Sequence, residues 1–382
     1  MNKLLLLRDE NGASGDELYQ IMSRYVESRN SSCFLKTVRE ITYKDIADVD
    51  IIICIRGATP FMKKIINMAK KMNKFVIYFL DDSLKDMPDN TFLYPKRKMW
   101  HLECVRLADV LLTTNPLIEE DYKKYIKDER TAIINTAVNS IAQKKQSEYQ
   151  RKQRIVYAGS EWHVENYKLF LEPIIYKLLE ANKEELDLYF VGFDPNIIGF
   201  EESVHVVQKM NLEEYQKFMN QMDFDIGLAP LKSSYFTERK YFNKFIEYTR
   251  NGICGIYSDV YPYRFVVNDG ENGYLVEDNA DAWLESITRV LNNRTDRSRC
   301  VENAQTYLKN NHSDKFIFEN LERDIPEITT NIRSHKIRHK LFMDKLFLYY
   351  PFWLNEKMYM TKFSLKNEGL MVTIKRIMKK IR

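Results

Sequence analysis

Apolar residues fall along this chain in short unbroken runs separated by amphipathic stretches. Lys3 to Arg8, Asp50 to Arg56, Phe75 to Leu80 and Asp109 to Thr114 are strand-length runs with continuous apolar character, which suits strands buried on both faces of a parallel sheet. Between them the apolar spacing turns helical. Leu18, Ile21, Met22, Tyr25 and Val26 recur at i, i+3, i+4, i+7 and i+8, and Phe61, Ile65, Met68, Ala69 and Met72 share a side. A helix over Pro116 to Tyr125 and a short strand over Ala132 to Asn135 complete this series.

A second series follows. Ile155 to Ala158, Leu186 to Gly192, Ser203 to Val207, Phe224 to Pro230 and Ile253 to Tyr257 read as strands, with a helix over Glu213 to Met222. Another helix carries Phe242, Phe245 and Ile246 on one face, continued by Tyr248 and Thr249, and ends at Asn251-Gly252. Helices are also expected near Asp281–Asn292, Arg297–Asn310 and Asp314–Asp324. Two βαβα series imply two doubly wound α/β domains. Gln143 to Arg154 holds no apolar residue except Tyr149 and reads as the linker. The expected organisation is 1–142, a linker over 143–154, a second domain over 155–312 and a helical basic extension over 313–382.

In such sheets, ligands gather at the carboxyl ends of the strands. The loop after the first strand, Asp9 to Asp16, contains Gly12, Ala13, Ser14 and Gly15 but no GxGxxG, so a dinucleotide fingerprint is absent. It reads equally as an ordinary strand–helix turn. Asp81 and Asp82 close the Phe75–Leu80 run; strand alternation points them apart, so they are not a ready-made metal pair. Asp82 is a candidate contact or the cap of a following turn. The aromatic and basic stretch Pro88 to Trp100 is expected to be a loop. In the second half, the predicted helix after Pro230 carries Lys240, Lys244 and Glu247. Its free amides and dipole favour phosphate, a lysine adds a point charge, and a carboxylate accepts from the neighbouring hydroxyls of a ribose. Taken singly, each also reads as a solvated helix face.

Lys240-x-x-x-Lys244-x-x-Glu247-Tyr248, Gly252, Ser258-Asp259-Val260-x-Pro262-Tyr263-Arg264, Asp269-Gly270-x-x-Gly273-Tyr274-Leu275-Val276 and Ala282-Trp283 together resemble the nucleotide-sugar half of a GT-B glycosyltransferase, most of all family 4 and its bacterial polysaccharide-building relatives. The resemblance is specific over Ile155 to Leu291, topological over Met1 to Val138, and does not cover the tail. It implies a GT-B fold, two Rossmann-like domains facing a cleft. It also implies sugar transfer from a nucleotide-sugar donor to a glycan or lipid-linked glycan, with retention and without a metal cofactor. Glu247 would hold the donor ribose and Lys240 the leaving diphosphate, with Lys244 assisting or orienting Glu247. Gly159-Ser160-x-x-His163 resembles the glycine step that lets backbone approach the donor phosphates. His163 and Arg264 are further candidates at the leaving group, although a polar loop histidine is as readily just solvated. Gly12 to Gly15 and Asp82 would face the acceptor. Glu238 and Glu247 have eight residues between them where the family often has seven. Asp223-x-Asp225 spells the metal motif of the other glycosyltransferase fold, but it precedes a strand instead of following one, and no metal is expected there. Two other classes fit part of the pattern: a nucleotide-sugar epimerase on the same fold, and a glycan-binding module without turnover.

Composition and charge narrow the picture further. Five cysteines, Cys33, Cys54, Cys104, Cys254 and Cys300, are scattered without a CxxC pair, as expected of a reduced compartment with neither disulfides nor zinc. Leu4 to Leu7 is too short for a signal-peptide core, which points to the cytoplasm. The 382 residues sum to +4, but Arg333 to Arg382 holds thirteen Lys/Arg against three Asp/Glu. Near the end, Leu370, Met371, Ile374, Ile377, Met378 and Ile381 line one helical side opposite Lys375, Arg376, Lys379, Lys380 and Arg382. That pattern suits contact of residues 333–382 with an anionic membrane surface, at its inner face, or packing back on the N-terminal domain. No nucleic-acid motif accompanies the charge.

Overall fold

A computed structural model describes residues 2–84, 95–142, 151–159, 163–330, 341–372 and 374. The chain divides into two compact units, Met1–Thr136 with Phe318–Arg382, and Ala137–Ile317. The division falls before the expected boundary at 142. Val138 and Ala142 already bond to the second unit, through their N–H groups to the carbonyls of His312 (2.8 Å) and Arg250 (2.7 Å).

The first unit runs β1 (Leu4–Arg8), α1 (Ala13–Glu27), β2 (Cys33–Thr37), α2 (Tyr43–Ala47), β3 (Ile51–Ile55), α3 (Pro60–Lys71), β4 (Phe75–Leu80), α4 (Pro95–Leu107), β5 (Val110–Thr113), α5 (Pro116–Tyr122) and β6 (Thr131–Ile133). The strands form a parallel sheet in the order β2-β1-β3-β4-β5-β6. Leu6 lies opposite Leu35 and Ile53, and Ile53 opposite Ile77. The continuous apolar runs are buried because helices cover both faces; Leu5, Ile52 and Tyr78 pack with Phe61, Ile65 and Tyr122 in one core. Each such side chain contributes about 1.5–3 kcal/mol of burial. α3 starts where Thr59 accepts from the Met62 N–H (3.1 Å) and Pro60 occupies the first turn.

Three expectations change in this unit. α1 begins at Ala13, not near Leu18, because Gly12 N-caps it in an extended conformation; the loop after β1 is therefore Asp9 to Gly12. Residues 88–94 of the expected Pro88–Trp100 loop lie outside the described residues, and Trp100 is on α4. Asp81 and Asp82 do not diverge: the Arg56 guanidinium takes both, Nε to Asp81 and Nη2 to Asp82 at 2.7 Å.

The second unit runs β7 (Gln153–Ala158), α6 (Val164–Phe170), α7 (Glu172–Ala181), β8 (Leu186–Val191), β9 (Val204–Val207), α8 (Leu212–Gln221), β10 (Ile226–Ala229), α9 (Tyr235–Glu238), α10 (Asn243–Arg250), β11 (Cys254–Ser258), β12 (Tyr274–Val276), α11 (Ala280–Asn292) and α12 (Arg294–Asn311). Its parallel sheet has the order β12-β11-β10-β7-β8-β9. The order in which strands are added reverses between β7 and β10, the topological switch point where a crevice opens outside the strand ends. Of the expected linker, 143–150 lie outside the described residues, whereas Gln153 and Arg154 belong to β7.

After α13 (Asp314–Asp324) the chain returns to the first unit. Arg130 and Glu327 pair through two bonds of 2.7 and 2.8 Å. α14 (Leu341–Asp344), a π-helical turn (Lys345–Tyr349) and α15 (Tyr350–Glu368) follow. The π-turn ends two residues before Pro351, which has no N–H to donate and whose ring crowds the carbonyl one turn back. Tyr349 is buried against Phe61 and accepts from Arg39 Nε at 2.9 Å, and Arg97 Nη1 meets Glu356 at 3.0 Å. Packing on the N-terminal unit, one of the two options for the tail, thus holds for this segment. Of the expected terminal amphipathic face, Ile377, Met378 and Ile381 lie outside the described residues. All five cysteines are free thiols.

Candidate functional site

The ends of β7 and β8 approach so closely that only glycine fits. The Gly159 N–H donates to the Val191 carbonyl at 3.0 Å, and the Gly192 N–H to that of Val207 at 2.9 Å. Gly192 sits at φ +96°, and a Cβ there would collide with the Gly159 carbonyl oxygen. A Cβ on Gly159 would lie 2.6 Å from that of His163. His163 N-caps α6, and its carbonyl accepts from the Tyr157 hydroxyl at 2.7 Å. These strand ends floor a cavity of about 260 Å³, with Ala158, Gly159, Val191 and Gly192 below and His163, Lys209, Met210, Tyr215 and Lys244 around it. Ser160 lies outside the described residues.

Lys244 and Glu247 are one turn apart on α10 and therefore share a face. Lys244 Nζ is 2.9 and 3.1 Å from the two Glu247 oxygens and 3.2 Å from the Tyr215 hydroxyl, which itself donates to Glu247 Oε1. Burial first, and the Glu247 charge second, push the Tyr215 hydroxyl far above its ordinary value, so it remains a donor. The helix under this cluster is anchored: Tyr248 is fully buried and donates to the Leu228 carbonyl at 2.8 Å, while Phe245 and Ile246 pack into the core. α8 presents Tyr215 from a helix whose start is closed by an Asn211–Glu214 capping box.

Tyr215, Lys209 and Met210 escaped the sequence reading. Tyr215 looks like one more apolar position of an amphipathic helix, and Lys209 and Met210 sit in an unremarkable connection after β9. Nothing in their spacing links them to α10.

Lys240 is not on that helix. α9 is a separate short helix, capped by Ser234 accepting from the Thr237 N–H at 3.1 Å. Lys240 falls in the turn before α10, with Nζ 4.7 Å from the Phe236 ring centroid. Its neighbour Arg239 is the buried cation: Nη1 donates to the Tyr235 carbonyl at 3.0 Å, and the guanidinium lies 3.3 Å from the Tyr235 ring centroid. Arg264 is at the far side of β11, donating from Nε to Asp259 at 2.7 Å, a bond that holds the Asp259 carboxyl below its ordinary range. Neither Lys240 nor Arg264 lines the 260 Å³ cavity.

In the first unit, Arg8 Nη1 donates to the Gly12 carbonyl at 3.2 Å and to Asp16 Oδ1 at 2.8 Å, which ties down the start of α1. Ala13, Ser14 and Gly15 are its first three residues, and Gly15 lies close under Arg8. Asp9, which the sequence did not single out, is nearly buried at the end of β1. It accepts from the Ala58 N–H at 2.7 Å and the Thr59 hydroxyl at 3.0 Å. Burial pushes its carboxyl up, against the pull of Arg97.

Asp223 and Asp225 stand at the opposite end of the second sheet from the cavity, before β10. Arg151 bonds to both, at 3.1 and 2.8 Å, and Asp225 also accepts from the Arg154 N–H at 2.9 Å and faces Arg297 at 3.7 Å. Among the described residues no group of three His, Cys, Asp or Glu side chains is gathered where it would hold a metal ion.

Residues 139–307, which contain every element of this cavity, match the family model for glycosyl transferases group 1. No curated protein matches the chain by sequence. Solved structures share the fold: HepE from Anabaena in complex with UDP, at 11% identity and TM-score 0.60 over 85% of this chain and 100% of that one. The lipopolysaccharide outer core galactosyltransferase WaaB aligns at 15% identity and TM-score 0.60, over 85% and 99%. A Listeria monocytogenes structure assigned as a UDP-N-acetylglucosamine 2-epimerase aligns at 11% and 0.55, over 89% and 100%. The two sheets are those of the GT-B fold, and the family match falls on the half in which the motifs were read.

Proposed function

We propose that this chain transfers a sugar from a nucleotide-sugar donor to a glycan or lipid-linked glycan, with retention at the anomeric carbon, in building a cell-surface polysaccharide. The observation that carries the reading is the Lys244–Glu247–Tyr215 cluster beside the cavity at the ends of β7 and β8. Glu247 accepts from the donor ribose. Lys244, with its ammonium at the cavity, takes the role first given to Lys240 and meets the diphosphate; Lys240 and Arg264 are secondary cations. The close-packed Gly159 and Gly192 let main-chain approach the phosphates. In the reaction the bond from the anomeric carbon to the diphosphate oxygen breaks, and the electron pair leaves on the diphosphate. The acceptor hydroxyl oxygen forms the new bond on the same face, and its proton passes to the leaving phosphate. Stabilising that developing charge is the enzyme's main electrostatic task. Asp223 and Asp225 are committed to arginines, so we expect turnover to persist in the presence of a chelator. The ends of β1 and β3, with Gly12 to Gly15 and the Arg56-bound Asp82, form the acceptor side.

The test is a thermal-shift screen of nucleoside diphosphates and their sugars, UDP and UDP-glucose first because HepE is solved with both. Transfer to glycan acceptors is then measured for the chain and for Lys244→Ala. A hit that Lys244→Ala abolishes, with transfer lost, supports the reading; no hit across the panel, or an unaffected variant, ends it. The fold is shared with the structure assigned as a UDP-N-acetylglucosamine 2-epimerase, so product analysis with donor alone is the companion experiment: epimerised sugar and no transfer would favour that activity.

A further inference from the structure

α14, the π-turn and α15 have two unlike faces. The inward one carries Tyr349, Glu356 and Ser364, all buried on the first unit. The outward one leaves large apolar side chains in solvent: Phe347, Tyr350, Leu354, Met358 and Leu365 recur at helical spacing, with Phe347 66% and Leu354 54% exposed. Core packing does not explain this stripe, and contiguous exposed apolar surface marks a contact site. Charge sorts the same way. Asp344 and Glu356 turn inward, to Lys64 and to Arg97 at 3.0 Å. Lys362 and Lys366 are exposed beside the stripe. Past Gly369, Leu370 and Met371 are exposed as well.

We propose that this outward face docks on an anionic lipid bilayer. A face of apolar side chains edged by ammonium groups, with Asp344 and Glu356 withdrawn into ion pairs, complements acyl chains beneath anionic headgroups. The surrounding sequence agrees, since residues 333–382 carry thirteen Lys/Arg against three Asp/Glu. Among the described residues no helix is long and apolar enough to cross a membrane, so the helix lies on the surface. The inward face keeps the first unit attached, which places the acceptor side of the same unit in a chain held at the lipid surface.

The experiment is flotation of the full chain with vesicles of phosphatidylcholine, alone or mixed with phosphatidylglycerol, in about 0.1 M and about 0.5 M salt. The chain should float with the anionic vesicles, remain behind with the neutral ones, and detach as salt rises. Leu354→Glu with Met358→Glu should lower the bound fraction at least about tenfold, and Lys362→Glu with Lys366→Glu should do the same. All four positions are exposed, so unchanged melting temperatures certify the variants. Nucleotide affinity, measured on the same proteins, is independent: flotation without nucleotide binding sinks the donor-site reading and leaves this one standing. Absence from the anionic vesicles, or equal flotation of Leu354→Glu with Met358→Glu, overturns the proposal. A dimer that this double variant splits, with no flotation, would assign the face to a second copy and overturn it too.

Discussion

Replacing Glu247 by glutamine should weaken nucleotide binding about ten- to a hundredfold through the ribose alone. A carboxylate offers about four lone-pair positions. In the free protein three are used: Lys244 reaches both oxygens, at 2.9 and 3.1 Å, and the Tyr215 hydroxyl takes Oε1. Oε2 keeps room for one further donor. A ribose hydroxyl there makes a hydrogen bond to a charged group, worth about 1.5–3 kcal/mol, and each 1.4 kcal/mol is about tenfold in Kd. Glutamine retains one acceptor for Tyr215 but presents an NH₂ donor to the ribose and to Lys244. The pair is 21% exposed on both sides, so its loss costs about 1 kcal/mol of stability, a fall of about 2–4 °C. Calorimetric titration with a nucleoside diphosphate and its 2′,3′-dideoxy counterpart separates the effects. The variant should lose affinity for the first and match wild type on the second. Equal losses on both would mean that Glu247 acts on the phosphates through Lys244, and the ribose assignment would be refuted.

Gly192→Ala should lower stability by at least about 2 kcal/mol in denaturant titration, because it combines a positive φ with a collision against Gly159; a loss below about 1 kcal/mol would show that β7 and β8 spread freely. Asp225→Ala strands the buried Arg297 and should cost about 3–5 kcal/mol while leaving nucleotide affinity of the folded fraction unchanged; a selective loss of affinity would instead make the aspartates part of the site. Burial raises the Asp9 carboxyl in the fold, so between its ordinary value and the raised one the folded chain holds a proton that the unfolded chain has lost, and this contribution to stability declines as pH rises. The stability of wild type minus that of Asp9→Asn should therefore fall from about pH 4 upward; a flat or rising difference refutes the burial argument.

Legibility in the sequence followed how far each residue's task reaches. Strands buried on both faces announced themselves: Phe75–Leu80 was read to the residue, and β1, β3, β5, β7 and β8 within one or two. β2 did not, because Cys33–Thr37 is a half-exposed edge strand with lysine and threonine in place of a continuous run. The polar stretch after Pro230 reads as a loop and hides the short α9, and the expected helix takes in Lys240, whereas α10 begins only at Asn243. Of the two lysines only Lys244 is on α10 and lines the cavity.

The site was visible where a motif lies within one element and invisible where it is assembled across the sheet. Lys244 and Glu247 share a helix, so their spacing carries information. Tyr215 reaches them from α8, separated in sequence by β10 and α9, and no local pattern records that contact. The same distinction explains Asp81 and Asp82. Alternation along a strand is a local rule and points them apart, yet Arg56, at φ +47° beyond the end of β3, reaches across and gathers both. A cation supplied by the neighbouring strand overrides the direction that the strand's own geometry assigns. Carboxylates at the end of a parallel strand therefore have to be judged against the residue that follows the adjacent strand, and for Asp82 that residue makes the carboxylate half of an ion pair.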